Sequence, residues 1–284
     1  MPSSDADKED RGRVLVIGGS RELGGAVVLA GVAALRAGAG KVTIATSAAI
    51  ASVLAVAFPE ARVIALDETG NDGLVLDDDV FAKPFDAILI GPGMRDDSAT
   101  CALVARALQR AGESPIVLDA GAMEIVRDSN ACTGRRVLLT PHAGELAHLC
   151  GCDKREIIED PVKAACAQAA AWNVAIALKG ATTVIAVPDG SHWVHEEGNA
   201  GLAMSGSGDT LAGVIVGLAA RGAPLEQAAA WGVALHARAA RVLATRTGAL
   251  GFLAREIAGE IPALMERLQA GVASGNLGFT HDLS

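Results

Sequence analysis

The chain of 284 residues contains no tyrosine, and its aromatic residues together make up 3%. No phenol can therefore serve as an acid or base. Positive charge is also short: 24 Lys and Arg face 33 Asp and Glu, giving a net charge of −9. That balance disfavours non-specific contact with nucleic acid or an anionic membrane and leaves small metabolites as the expected partners. Long apolar runs are missing. The longest charge-free stretch, Val42 to Pro59, contains Thr43, Thr46, Ser47 and Ser52 and reads as a strand followed by a capped helix, so no membrane span is predicted. The five cysteines, Cys101, Cys132, Cys150, Cys152 and Cys166, are odd in number and lack C-x-x-C spacing. This argues against a disulfide framework or structural zinc and predicts idle or buried thiols. No G-x-x-x-x-G-K-[ST] occurs, since Gly40-Lys41 is followed by Val42, so a Walker phosphate loop is excluded. The opening MPSSDADKEDR is acidic without an apolar core, which predicts a loose tail over residues 1–12, no signal peptide and a cytoplasmic protein.

What is present is apolar and rhythmic. Hydrophobic residues make up 51% and the mean hydropathy is +0.35, the composition of a densely helical folded protein. Short β-branched runs alternate with alanine-rich stretches: Arg13 to Ile17, Val42 to Thr46, Arg62 to Leu66, Asp86 to Ile90, Pro115 to Asp119, Arg136 to Thr140 and Asn173 to Leu178. That alternation predicts βαβ crossovers and a mainly parallel sheet with helices on both faces. Thr182 to Val187 and Ser191 to Glu196, joined by Pro188-Asp189-Gly190, predict a late antiparallel hairpin. From Asp209 the pattern is helical almost to Gln269, with breaks at Arg221 to Pro224 and Gly248 to Gly251. One domain over 13–270 is expected, followed by an irregular tail over 271–284.

Glycine-rich turns follow the strands at Gly18-Gly19-Ser20, Gly91-Pro92-Gly93, Asp119-Ala120-Gly121, Pro141 to Glu145 and Lys179-Gly180. In parallel α/β sheets ligands bind beyond the carboxyl ends of the strands, so these turns should form one crevice. "VLVIGGSRELGGA" is similar to the first turn of short-chain dehydrogenases, but the Tyr/Lys pair of that family cannot exist without tyrosine.

"GLAMSGSGDTLAGVIVG", residues 201–217, is more informative. Asp209 beside a helix start can act as an N-cap. Flanking Gly206 and Gly208 also leave first-turn N–H groups bare toward an anion, and a carboxylate at the edge of that hole can accept the proton of a hydroxyl attacking phosphorus.

"GSGDTLAGVIVG" resembles the anion-hole and base motif of ribokinase-like small-molecule kinases. The chain from Arg13 to Leu268 resembles the ADP/ATP-dependent NAD(P)H-hydrate dehydratases of that superfamily. The stretches occur in family order: "GGSRELGGAVVLAGVAALRAGAGKVTIAT", "ILIGPGM", "VLDAGAM", "LLTPHAGELAHL", "ALKGATTVIAVPDG", "GNAGLAMSGSGDTLAGVIVGLAARG" and "GFLAREIAGEIPALM". The resemblance implies a single ribokinase-like three-layer α/β sandwich. It also implies phosphate transfer from ADP or ATP, with Mg2+, to the hydroxyl of hydrated NADH or NADPH (NADHX, NADPHX), and a homo-oligomer, dimer or tetramer. An epimerase domain is sometimes fused in this family, and with 284 residues no room for it is expected here.

By resemblance Asp209 is the base and a hydrate contact, and Gly206, Ser207 and Gly208 form the anion hole, Gly208 also touching nucleotide. Lys179, Gly180, Ala181, Thr182 and Thr183 match the nucleotide-binding stretch, and Ala26, Gly93, His142 and Asn199 the hydrate contacts. The lesser alternatives are a solvated strand-end lysine for Lys179 and a structural histidine for His142. Glu145 can hold Mg2+ through water or cap the following helix. His192 and His195 flank Trp193 three apart on a predicted strand and read as surface or edge residues. The chain departs from the family at Gly121, where D-A-D-A is usual, and at Leu23, Ser205 and Ala143. A kinase of a vitamin alcohol or sugar, and a silent adenine-nucleotide sensor suggested by Gly121, are the alternative readings.

Overall fold

The computed structural model describes residues 10–69, 73–95, 97–128 and 130–273. Every predicted strand forms, shifted at its ends by at most two residues. The first half contains β1 (Arg13–Ile17), α1 (Gly25–Arg36), β2 (Lys41–Ser47), α2 (Ala48–Ala57), β3 (Ala61–Leu66), β4 (Ala87–Ile90), α3 (Ser98–Arg110) and β5 (Ile116–Leu118). Next come β6 (Val137–Leu139), α4 (Ala143–Cys150), α5 (Lys154–Glu159), α6 (Pro161–Trp172) and β7 (Ala175–Leu178), then the hairpin β8 (Thr183–Ala186) and β9 (His192–His195). Three helices close the fold: α7 (Ser207–Ala220), α8 (Leu225–Thr247) and α9 (Ala254–Ala273).

The strands form one sheet in the order β3-β2-β1-β4-β5-β6-β7-β8-β9, parallel from β3 to β7 and antiparallel in the last two pairings. Side chains alternate across it as the two-residue strand period demands. Leu15 and Ile17 of β1 enter the core shared with α3, α4 and α6, whereas Val14 and Val16 enter the core shared with α1, α7 and α8. A third cluster under α9 seals α1, α7 and α8 from outside.

α7 is buried on nearly every side. Gly213 and Gly217 let its backbone press directly on α1: a Cβ at Gly217 would stand 2.6 Å from the Ala34 carbonyl oxygen, and one at Gly213 would overlap that of Ala30. This pins the amino end of α7 at the carboxyl end of the sheet.

Three expectations need correction. Cys150 and Cys152 are joined in a disulfide, not idle; Gly151 between them adopts φ 69° as the C-cap of α4 and folds the two side chains together with Cα atoms 5.5 Å apart. The N-terminal tail stops short of Gly12, because Arg11 and Gly12 accept hydrogen bonds from Gly40 at 3.2 and 2.9 Å; residues 1–9 lie outside the described residues. α9 runs on to Ala273, into the stretch read as irregular, and 274–284 lie outside the described residues.

Candidate active site

The strand order reverses direction between β1 and β4, the position where open α/β sheets leave a crevice. The glycine-rich turns meet there. Backbone bonds carry the sheet ladder past the strand ends: Gly91 N–H donates to Ile17 O, Asp119 N–H to Ile90 O, Thr140 N–H to Leu118 O and Lys179 N–H to Pro141 O, at 2.7 to 3.2 Å. Gly93, with φ 71°, packs against Leu23 and Ala26, and a Cβ there would stand 3.1 Å from that of Ala26. Two of the proposed hydrate contacts, 67 positions apart in sequence, thus adjoin.

Asp209 is not an N-cap. Gly206, with φ 86°, caps α7, and Asp209 is the third residue of its first turn. Ser207 N–H reaches Met204 O at 3.4 Å and Thr210 N–H makes the first full helical bond, to Gly206 O at 3.1 Å. The N–H groups of Gly208 and Asp209 have no acceptor among the described residues. They are the bare donors of a helix start, carrying its partial positive charge. Ser207 contributes backbone alone, because its Oγ turns inward to His236.

Lys179 reaches the same place from the end of β7. Its Nζ donates to Asp119 Oδ1 at 3.2 Å and lies 3.9 Å from Glu145 Oε2. A Cβ on Gly208 would stand 3.4 Å from Lys179 Nζ and 4.0 Å from Asp119 Oδ2, so the bare turn, the lysine and the aspartate surround one small space. Burial pulls the ammonium pKa down, but Asp119, Glu145 and Asp209 outweigh it and hold Lys179 above its ordinary value. Burial also lifts Asp209, with the like charge of Asp119 adding and Lys179 opposing, to about 6. A carboxylate so placed is ionised at pH 7 yet more basic than an exposed one.

Asp119 was missed by the sequence reasoning. It is 4% exposed, its Oδ1 also accepts from Thr140 Oγ1 at 2.6 Å, and the next residue, Ala120, holds φ 47°. An L-residue in the left-handed region beside a buried acid is a mark of a functional turn. The signal available beforehand was its place in the strand-end turn Asp119-Ala120-Gly121.

His142 is partly what the bland alternative said. It is the N-cap of α4, where its Nδ1 accepts from Gly144 and Glu145 N–H at 3.0 and 3.1 Å while Glu145 Oε2 accepts from His142 N–H at 2.7 Å. That capping box fixes the Nε2–H tautomer on a side chain 60% exposed. His142, Glu145, Ala120, Gly121 and Met94 line a cleft of about 490 Å3. A larger groove, about 1010 Å3, opens at the other end of the sheet beside Val137, Ala175 and the hairpin turn, away from these groups.

Glu145 thus caps α4 through Oε2, and among the described residues no three His, Cys, Asp or Glu are arranged to hold a metal. The donors present suit a Mg2+ that keeps its waters and rides on phosphates. Asn199 accepts from Gly201 N–H at 2.8 Å within its own turn. Adjacent Gly198 backs onto Ala181, and Thr183 Oγ1 closes the Gly180 turn at 3.4 Å, so Asn199 flanks the Lys179-to-Thr183 stretch. His192 and His195 lie on the edge strand β9.

The family model described as NAD(P)H-hydrate dehydratase matches residues 14–263. The chain belongs to this family. The ADP-dependent (S)-NAD(P)H-hydrate dehydratase of Xanthomonas campestris is 48% identical over 274 residues, covering 95% of this chain and 94% of that protein. The Bacillus subtilis ADP/ATP-dependent NAD(P)H-hydrate dehydratase co-crystallised with ATP and Mg2+ superposes with TM-score 0.79 at 31% identity, over 94% of this chain and 93% of that one. A ribokinase-like superfamily protein of Enterococcus faecalis superposes with TM-score 0.81 at 28% identity, over 94% and 91%. The fold of this hydrate dehydratase family member is accordingly ribokinase-like.

Gly208 offers a test of the small space within this family member. Alanine in a first helical turn carries no backbone penalty, so Gly208→Ala is expected to keep or raise Tm while its methyl, 3.4 Å from Lys179 Nζ, weakens ATP binding about tenfold. Unchanged affinity by calorimetry would remove Gly208 from the nucleotide side.

Proposed function

We propose that this protein dehydrates (6S)-NAD(P)H hydrate to NAD(P)H at the expense of ADP or ATP, restoring a damaged nicotinamide nucleotide. The observation that carries the reading is the meeting of the free Gly208 and Asp209 N–H groups, Lys179 and the Asp209 carboxylate around one space. The terminal phosphate rests on the two amides and the ammonium. The hydrate hydroxyl attacks phosphorus as Asp209 takes its proton, and AMP or ADP departs. The ring nitrogen lone pair then expels the new phosphate ester, and loss of a proton from the adjoining ring carbon restores the dihydronicotinamide. Positioning and charge neutralisation suffice because the ring supplies the driving electrons.

Ala26, Gly93, His142 and Asn199 would border the hydrate, His142 offering Nε2–H, and Lys179 to Thr183 would border the nucleotide. Mg2+ would arrive with the phosphates, held through water near Glu145 and Asp119, and supply charge neutralisation. The same reading takes the chain to be a cytoplasmic homo-oligomer. Among the described residues no helix is long and apolar enough to cross a membrane. Val53 and Val56, 67% and 82% exposed on one face of α2, supply apolar surface for a subunit contact.

The test is return of nicotinamide absorbance when the protein meets NADHX or NADPHX with ADP or ATP. Recovery is expected with at least one nucleotide. No recovery with either, alongside phosphorylation of a vitamin alcohol or sugar, would transfer the assignment to a kinase; binding without any turnover would leave a nucleotide sensor.

A further inference from the structure

We infer that His236, in the middle of α8, is a positioning residue that aims and strengthens the Gly208 N–H of the anion hole by gripping the other end of its peptide group. His236 is 6% exposed, and its Nε2 lies 3.1 Å from Ser207 O and 3.3 Å from Ser207 Oγ. A carbonyl oxygen only accepts, so Nε2 carries the hydrogen and donates it. The carbonyl of Ser207 and the N–H of Gly208 belong to one planar trans peptide unit, with no cis bond among the described residues. A donor holding the oxygen at the core side therefore turns the N–H to the opposite side, where it has no acceptor among the described residues and faces the space beside Lys179.

The grip does more than aim. Hydrogen bonds in series polarise one another, so a peptide whose oxygen is bonded away from water is a better donor at nitrogen. The ring stays neutral throughout the working range: burial, helped by nearby Lys179 and opposed by the Ser207 bond, holds its pKa down to about 4. A neutral imidazole supplies the hydrogen without adding a second cation to a site already balanced around Lys179. The role belongs to α8, and nothing in the alanine-rich sequence of that helix marks it.

The inference rests on the proposed phosphoryl transfer, but its test does not depend on hydrate turnover. His236→Gln places an amide N–H where Nε2 was; His236→Leu removes the donor at similar bulk; His236→Asn places its amide short of Ser207. Leu and Asn are expected to lower kcat about tenfold with little change in hydrate KM, and to weaken ATP binding several-fold by calorimetry, while Gln recovers most of both. If Leu does not fold, the Gln and Asn pair carries the same contrast. Equal kcat and equal ATP affinity in Gln, Asn and Leu would overturn the positioning role, as would a loss confined to Tm. Were the wild type to leave hydrates untouched, the ATP affinities would still decide His236 while the dehydratase reading failed on its own.

Discussion

Asp209→Asn is expected to lower kcat by at least about a hundredfold, the loss typical of removing a general base, while ATP affinity stays near that of the wild type. The affinity survives because the phosphate is held by the Gly208 and Asp209 amides and by Lys179, none of which the substitution removes. The wild-type rate should fall on the acid side with a midpoint near the Asp209 pKa of about 6, and that limb should vanish in the variant. Stability should move the opposite way to activity. Because burial raises Asp209 from 3.8 to about 6, the folded state binds this proton more tightly than the unfolded chain does. The stabilising proton is in place below about pH 4 and is lost as pH climbs through 6, so at pH 8 the ionised carboxylate costs on the order of 3 kcal/mol. Asparagine escapes that cost, and Tm of the variant at pH 8 should exceed the wild type's by several degrees, the gain shrinking toward pH 4. A Tm lowered at every pH, with near-normal turnover, would reduce Asp209 to a first-turn acid favoured by the helix dipole.

The trade between activity and stability at Asp209 follows from the same feature that made the site partly legible in sequence. Glycine-rich turns at strand ends are visible because they break a two-residue period, and most of the strands are visible because they are buried on both faces. Hence β1 falls on Arg13–Ile17 as read, and the antiparallel hairpin at the end of the sheet is where Pro188-Asp189-Gly190 placed it. The pairing of Asp119 with Lys179 was not visible. Those residues are 60 positions apart and meet only because β5, β6 and β7 lie side by side. The start of α7 was misjudged by two residues because Ser-Gly-Asp also suits a loop ending in an aspartate cap. Gly206 took the cap once α7 was anchored on α1 through Gly213 and Gly217. His142 shows the reverse problem: one side chain serves both as cap through Nδ1 and as a free donor through Nε2, so the two readings were never exclusive. The Cys150–Cys152 pair was discarded on spacing, whereas a left-handed Gly151 between the two residues closes the short loop.

Lys179→Ala should weaken ADP or ATP binding about a hundredfold, the scale of losing a charge-assisted phosphate contact, and raise hydrate KM much less. The lysine also neutralises Asp119, which is buried and whose carboxylate otherwise accepts only from Thr140 among the described residues, so the variant leaves an uncompensated buried carboxylate and should lose several degrees of Tm. Its effect on pH dependence separates these roles. Lys179 lowers the pKa of Asp209 against the combined lift of burial and Asp119. Without it Asp209 binds its proton still more tightly, and the acid limb of the remaining activity must move above pH 6. Lys179→Arg keeps the charge, so the limb should stay near 6 even if the altered shape impairs phosphate binding. A limb unmoved in the alanine variant would mean that Lys179 and Asp209 do not share a field. Equal losses of hydrate and nucleotide affinity would place the lysine between the two ligands and not on the phosphate side.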